Sequence, residues 1–400
     1  MTTPSRSAAV RTLETPAAAS PDWNGLRAEF PTLEKFNYLD MARKAILPRV
    51  VDRSMESWLA DIRETGGKLA FSMDEIERAR GVVARVYGAA PDRLAFIKNT
   101  SEGVNIVANG LDWRPGDNVV ISEAEHENNT FPWRHLQRQD VELRIAAATE
   151  NGQIHLDAYR RLVDAKTRVV SVAWVSYGLG QRADLAGFAE LCRKGNILLL
   201  IDAIQALGVL ADRIDALGGD IVVSGGHKAQ FSLAGAGLMY VSDRALERIR
   251  PTYASKYSFA TLDRTVADPQ LAPDAHRFEY GNPNFLGIWV QSRSAAFIES
   301  VGLTQIEERI RSLTERLIAR AQMRGLTVRT PHLWSQRAGI VSIDLKGADS
   351  TTIEKTLAAE GIRVASKDRR IRAAVHFYNN ESDVDGFVDR LAHHLAAAAR

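Results

Sequence analysis

The chain has 400 residues, 45% hydrophobic and 25% charged, which is enough to bury a large core and to build one big domain plus a smaller one. Its 51 Lys and Arg nearly balance its 49 Asp and Glu, so the formal charge of +2 supplies no basic surface for nucleic acid or for an anionic membrane. A single cysteine, Cys192, excludes an intrachain disulfide and any multi-cysteine metal site.

In chain order, the Ser/Ala/Pro-rich start from Met1 to Pro21 lacks the apolar run of a signal peptide and reads as a disordered leader of a cytoplasmic protein. No later stretch approaches the roughly 18 apolar residues of a membrane span. We assign residues 1–30 to this leader and an N-terminal segment, 31–276 to a large domain and 277–400 to a small C-terminal domain. MDEIERARGVVARVYG places Ile76, Ala79, Val83 and Val86 at helical spacing. Six β-rich runs punctuate the large domain: RLAFI (93–97), NVVIS (118–122), RVVSVAWVS (168–176), ILLLID (197–202), DIVVSG (220–225) and GLMYV (237–241). Continuous apolar runs suit strands buried on both faces, as in a parallel sheet covered by helices. DLAGFAELCRKG repeats the helical pattern and closes on Gly195, which makes Cys192 a buried structural thiol. Beyond Arg277 come long amphipathic helices around IESVGLTQIEERIRSLTERLIARAQMRG, strands near AGIVSIDL and IRAAVHF, and a last helix from Val384, which describe an α+β domain. The charge run from Glu307 to Arg320 reads as a solvated helix face.

The chemistry concentrates between Asp202 and Lys228. Asp202 ends a very apolar strand, and the carboxyl ends of parallel strands are where α/β folds bind ligands, although a carboxylate there can also serve as a helix N-cap. Lys228 sits just past the next strand in SGGHK, between residues small enough for a cofactor to approach the backbone. A lysine behind a buried strand is destabilising unless it is paired or used covalently. A Schiff base resolves this, because a low-dielectric pocket depresses the amine pKa and makes it nucleophilic. A carboxylate at Asp202 would keep a pyridine nitrogen protonated, as an electron-sink cofactor requires, and Gln205 could reach the ring oxygen.

The stretch ILLLIDAIQALGVLADRIDALGGDIVVSGGHK resembles the class V aminotransferase family of pyridoxal-phosphate (PLP) enzymes, which includes cysteine desulfurases and isopenicillin N epimerase-like proteins. The resemblance runs from about Tyr38 to about Asn380. It implies an α/β, type I PLP-dependent transferase fold, with a mostly parallel seven-stranded-type sheet in the large domain and a smaller C-terminal α+β domain. It also implies PLP on Lys228, with Asp202 at the pyridine nitrogen and Gln205 at the ring oxygen. KNTSEGVNIV is similar to the family's phosphate-binding turn, assigning Thr100, Ser101 and Glu102 to a helix N-terminus that favours an anion. EAEHENNTFPW matches the Glu-His-x-x-Asn segment, which assigns His126 to stacking on the ring and Asn129 to shaping the pocket. In HRFEYGNPN, Gly281 and Asn282 would reach the phosphate of a partner subunit, implying a homodimer with composite sites. In RIRAAVHFYNN, Arg372 would bind the substrate carboxylate through its bidentate fork.

The chain also departs from that family. GIRVASKDRRIR contains no cysteine where desulfurases carry a catalytic one. Tyr177 stands where many members have Asn near the ring oxygen. Gly225 replaces a frequent phosphate-binding Ser, leaving Ser224 and His227 as the remaining ligands on that turn. LDMARKA differs from the common opening motif, so Met41 and Arg43 would shape the substrate side. No HExxH or other metal spacing is present, and GLG and GAG do not form a dinucleotide fingerprint. These features lead to an expected activity at Cα and Cβ of an amino acid: β-elimination from a cysteine S-conjugate first, transamination second, epimerisation or decarboxylation third. Cysteine desulfuration is expected to be absent.

Overall fold

The computed structural model describes residues 21–398, so the leader up to Ser20 lies outside the described residues. Among the described residues, seven strands form one sheet: β1 (Leu94–Ile97), β2 (Asn118–Ser122), β3 (Glu142–Ala146), β4 (Thr167–Ala173), β5 (Leu198–Asp202), β6 (Ile221–Gly225) and β7 (Gly237–Val241). Their order is β1-β7-β6-β5-β4-β2-β3, and β7 alone runs antiparallel to its neighbours. The six apolar runs are all strands of this sheet. β3 has no such signature in the sequence, because it is an edge strand whose residues ELRIA are mostly part-exposed and carry two charges.

Side chains alternate across the sheet and divide the core in two. Leu94, Val120, Val170, Leu199, Ile201 and Val222 belong to one layer. Ala95, Val119, Val169, Leu198, Leu200 and Val223 belong to the other. Burial on both faces is what makes these strands legible as uninterrupted apolar runs. Cys192 lies in the first layer, on helix Leu185–Lys194.

A second, antiparallel sheet contains β8 (Thr327–Val328), β9 (Ile340–Asp344), β10 (Ala365–Lys367) and β11 (Arg370–Ala374), in the order β10-β11-β9-β8. The N-terminal segment joins this part of the molecule: Asn37 and Tyr38 pair in parallel with Ile362 and Arg363, and Asp40 bridges Ala374. The expected long helical stretch is two helices, Phe285–Val301 and Leu303–Met323, broken at Gly302, whose φ of 92° takes it out of helical geometry. The charged face of the second helix is not simply solvated. Arg309, Arg316 and Arg320 pair with Glu381, Asp385 and Asp389 of the last helix, Glu381–Ala398.

The chain winds outward from β2 to β3 on one side and from β4 through β5 to β6 on the other. A crevice therefore opens at the carboxyl ends of these strands, where the direction of winding reverses. Ser122, Ala173, Asp202 and Gly225 all end there.

Candidate active site

A cavity of about 320 Å³ fills this crevice. Asp202 reaches it from the end of β5 and Lys228 from the turn after β6, and both are buried. Burial pushes the Asp202 carboxyl up to about 6, against the Ile204 N–H, which donates to Oδ1 at 3.0 Å, and against the charge of Lys228. Burial likewise pulls the Lys228 amine down to about 8, with Asp202 opposing it. Each group is thus moved toward its neutral form by loss of water, while each favours the other's charge.

Helix Thr100–Gly110 points its first turn at the same cavity, and the residue that caps it was missed in the sequence. Asn99 caps the helix, its Oδ1 accepting from the Glu102 N–H at 3.0 Å, in an Asn-Thr-Ser-Glu pattern that is itself a capping signal. The Thr100 hydroxyl lines the cavity, is buried and has no hydrogen-bond partner. Ser101 and Glu102 are not among the side chains of the wall. Glu102 turns back instead and accepts from the Lys98 N–H.

His126 and His227 both line the cavity, and burial lowers the pKa of each, so both are neutral rings at pH 7. A Cβ on Gly225 would come within 3.1 Å of the His227 Nδ1, so the imidazole takes the space a side chain at 225 would need. Ser224 faces the other way. Its hydroxyl is fully buried and accepts from Gln230 Nε2 at 2.7 Å, because successive residues of β6 point to opposite faces of the sheet. Gln205 lines the cavity with one amide N–H given to the Ala42 carbonyl at 2.9 Å and its Oε1 buried without a partner.

Asn129 does not reach the cavity. It sits behind it, accepting from Ser171 Oγ at 2.6 Å and Trp133 Nε1 at 3.2 Å and donating to Glu125 at 2.8 Å. Glu125, also missed in the sequence, is buried beside His126 and pushed up to about 7 by loss of water. Gly281 and Asn282 are also remote, lining a separate cavity of about 430 Å³ with Lys98 and Tyr280.

Arg372 enters from β11. Its Nη1 donates to the Tyr177 carbonyl at 2.8 Å, and its Nη2 meets Asp40 at 3.3 Å. Its Nε is buried and unpartnered. Asp40 also holds Arg43 at 3.1 Å, and Arg43 reaches Glu354 at 3.1 Å. Arg43 therefore lines the cavity as part of an ion network, and Met41, expected on the substrate side, is buried in the core instead. Tyr177 has the His126 ring edge-on at 5.0 Å between centroids and the Lys367 ammonium 4.8 Å from its own centroid. Asp40 and Lys367 were both missed: Asp40 is brought to Arg372 by a chain crossing, and Lys367 reaches the wall on a hairpin.

The orphaned Thr100 hydroxyl in the first turn of its helix, the buried Asp202 and the desolvated Lys228 suit a phosphate, a protonated ring nitrogen and an aldehyde respectively. With the wound sheet, they define the protein as a type I PLP-dependent enzyme. The chain belongs to the class-V aminotransferase family, whose model matches residues 37–387. A protein of Methanothermobacter thermautotrophicus named as a probable cysteine desulfurase is 28% identical over 90% of this chain and 94% of its own length. A cysteine desulfurase of Yersinia pestis is 27% identical over 91% and 96%. Among solved structures, the cysteine desulfurase of Thermococcus onnurineus superposes with a TM-score of 0.85 at 22% identity, over 94% of this chain and 98% of that one. The cystine C-S lyase C-DES, in complex with cysteine persulfide, gives 0.82 at 23%, over 91% and 99%.

These relatives correct the sequence reading of the activity. Exclusion of desulfuration, and with it the preference for S-conjugate elimination over transamination and epimerisation, rested on the absent cysteine near Arg372. Two relatives that match over nearly the full length are desulfurases by name, which overturns it. The physical flaw is that a thiolate receiving sulfur need not belong to the same chain. Among the described residues, no helix is long and apolar enough to cross a membrane.

Proposed function

We propose that this enzyme removes sulfur from L-cysteine, leaving alanine, and passes the sulfur to a thiol supplied from outside the chain. The full-length likeness to cysteine desulfurases carries the reaction. The external acceptor follows from Cys192, the one cysteine, which is buried on a packing helix with its thiol pushed up to about 12 by loss of water.

In this reading PLP, when bound, draws electrons away from the substrate's Cα. Lys228 holds the cofactor and moves the proton at Cα, a task suited to an amine whose pKa burial has brought near 8. Asp202 keeps the ring nitrogen protonated, and the Thr100 hydroxyl with the first amides of its helix binds the phosphate. His126 stacks on the ring, His227 adds a donor at the phosphate and Gln205 contacts the ring oxygen. Arg372 binds the substrate carboxylate, with Asp40 and the Tyr177 carbonyl fixing its fork. An acceptor thiolate attacks the substrate sulfur; the S–S bond forms as Cβ–S breaks, and the released electron pair takes a proton at Cβ to give alanine. The loop 276–284, with Gly281, Asn282 and the exposed Tyr280, is the face we assign to a second copy of the chain.

Incubation of the holoenzyme with cysteine and a small thiol tests the reading. Alanine and persulfide in equal amounts support it. Pyruvate and ammonia without alanine, or no turnover of cysteine, overturn it.

A further inference from the structure

Lys367 is a cation that the proposed reaction leaves unused. It sits at the end of β10 opposite Arg370, in a hairpin whose turn residues Asp368 and Arg369 take φ of 48° and 62°. Positive φ at two successive non-glycine residues is a strained turn, held here by the ladder on either side. The hairpin carries Lys367 to the wall of the Lys228 cavity, half-buried, with its Nζ 4.8 Å from the centre of the Tyr177 ring.

Both arginines of this wall already face a carboxylate. Arg43 is bound by Asp40 and Glu354, and Arg372 by Asp40. Lys367 has no salt bridge among the described residues, and in the cavity it meets the ring and the hydroxyl of Tyr177. Burial opposes its charge, but the Tyr177 hydroxyl and the carboxylates of Asp368 and Glu127 outweigh this and hold its pKa above the ordinary lysine value. It is therefore an ammonium at neutral pH. One residue separates it from Arg372, because Tyr177 offers its carbonyl to Arg372 and its ring to Lys367. Both cations therefore lie on the same stretch of the cavity wall, on either side of Tyr177.

We propose that Lys367 forms a second anion subsite, which selects amino acids whose short side chain ends in a negatively charged group over neutral isosteres. This rests on the assignment of the cavity to an amino-acid substrate and of Arg372 to its carboxylate. It narrows the substrate class to dianionic amino acids, among which cysteine qualifies as its thiolate.

Aspartate and asparagine differ at the side-chain terminus by charge with little change in shape, so their dissociation constants from the holoenzyme, read from the cofactor's absorbance change, isolate the effect. The subsite predicts that the wild type favours aspartate by roughly tenfold, the scale of one charge-assisted hydrogen bond. It predicts that Lys367→Gln brings the ratio near one, and that Lys367→Arg restores a preference for aspartate. Equal binding of the two ligands by the wild type, or an unchanged ratio in Lys367→Gln, overturns the proposal. The desulfuration reading is judged separately by alanine formation from cysteine. A persistent aspartate preference without alanine would remove that reading and leave the subsite, and alanine formation without the preference would do the reverse.

Discussion

Lys228 and Asp202 are buried in one pocket, and loss of water acts on them in opposite directions along the pH scale. With its pKa lowered to about 8, the Lys228 amine is neutral in about a tenth of molecules at pH 7 and half at pH 8. The rate at which cofactor-free protein takes up PLP is expected to rise roughly fivefold between these pH values and to level off above about pH 9. Stopped-flow absorbance checks this, and a rate flat from pH 7 to 9 contradicts a desolvated nucleophile. Asp202 titrates the other way. Its folded pKa of about 6 exceeds the ordinary 3.8, so the native state holds the proton more tightly. That contribution to stability is fully present below about pH 4 and is lost as pH rises through 6, because the buried carboxylate must then ionise. Each pH unit between the folded and ordinary values is worth about 1.4 kcal/mol. Asp202→Asn should therefore stabilise the cofactor-free protein by up to about 3 kcal/mol at pH 8 and by almost nothing at pH 4. Urea denaturation at the two pH values measures it. Greater stability and lower activity in one variant would identify a carboxylate retained for its chemistry rather than for the fold.

At the scale of elements, the approach of helix Thr100–Gly110 to the sheet decides where its N-terminus lies. A Cβ on Gly103 would fall 2.4 Å from Val223 Cγ1 of β6 and 3.0 Å from Ile97 Cδ1 of β1. Gly103→Ala must push the helix outward and withdraw Thr100 from the cavity. We expect a loss of about 1–3 kcal/mol in stability and weaker binding of PLP, both by titration. A variant that binds PLP as the wild type does would show that the helix position is not critical. Such contacts mark the limit of sequence reading in this fold. Asp202 and Lys228 stood out because Asp202 ends one continuous apolar run and Lys228 follows the next within a short turn. Ser224 was misassigned because a one-residue difference along β6 moves a side chain to the other face of the sheet. Asp40 and Lys367 depended on a 332-residue crossing and a strained hairpin, neither of which has a local pattern.

For the whole molecule, the proposed sulfur transfer is constrained by composition. One cysteine in 400 residues, buried in the layer beneath the sheet with Phe188, Leu199 and Ile201, leaves no thiolate of this chain at the cavity. Reaching one would require helix Leu185–Lys194 to detach from that layer, at the cost of several buried apolar side chains of about 1.5–3 kcal/mol each. In the proposed reaction the sulfur must therefore leave to an acceptor thiol from outside the chain, a step bimolecular in that thiol. Alanine formation from saturating cysteine should increase with added small thiol until it saturates, and should be equally fast in Cys192→Ala, which removes the sulfur atom while keeping an apolar side chain in the layer. The comparison of the two proteins over a thiol titration separates the alternatives. Loss of alanine formation in Cys192→Ala, in protein whose circular dichroism and cofactor absorbance match the wild type, would mean that the helix opens and that the sulfur is carried on this chain.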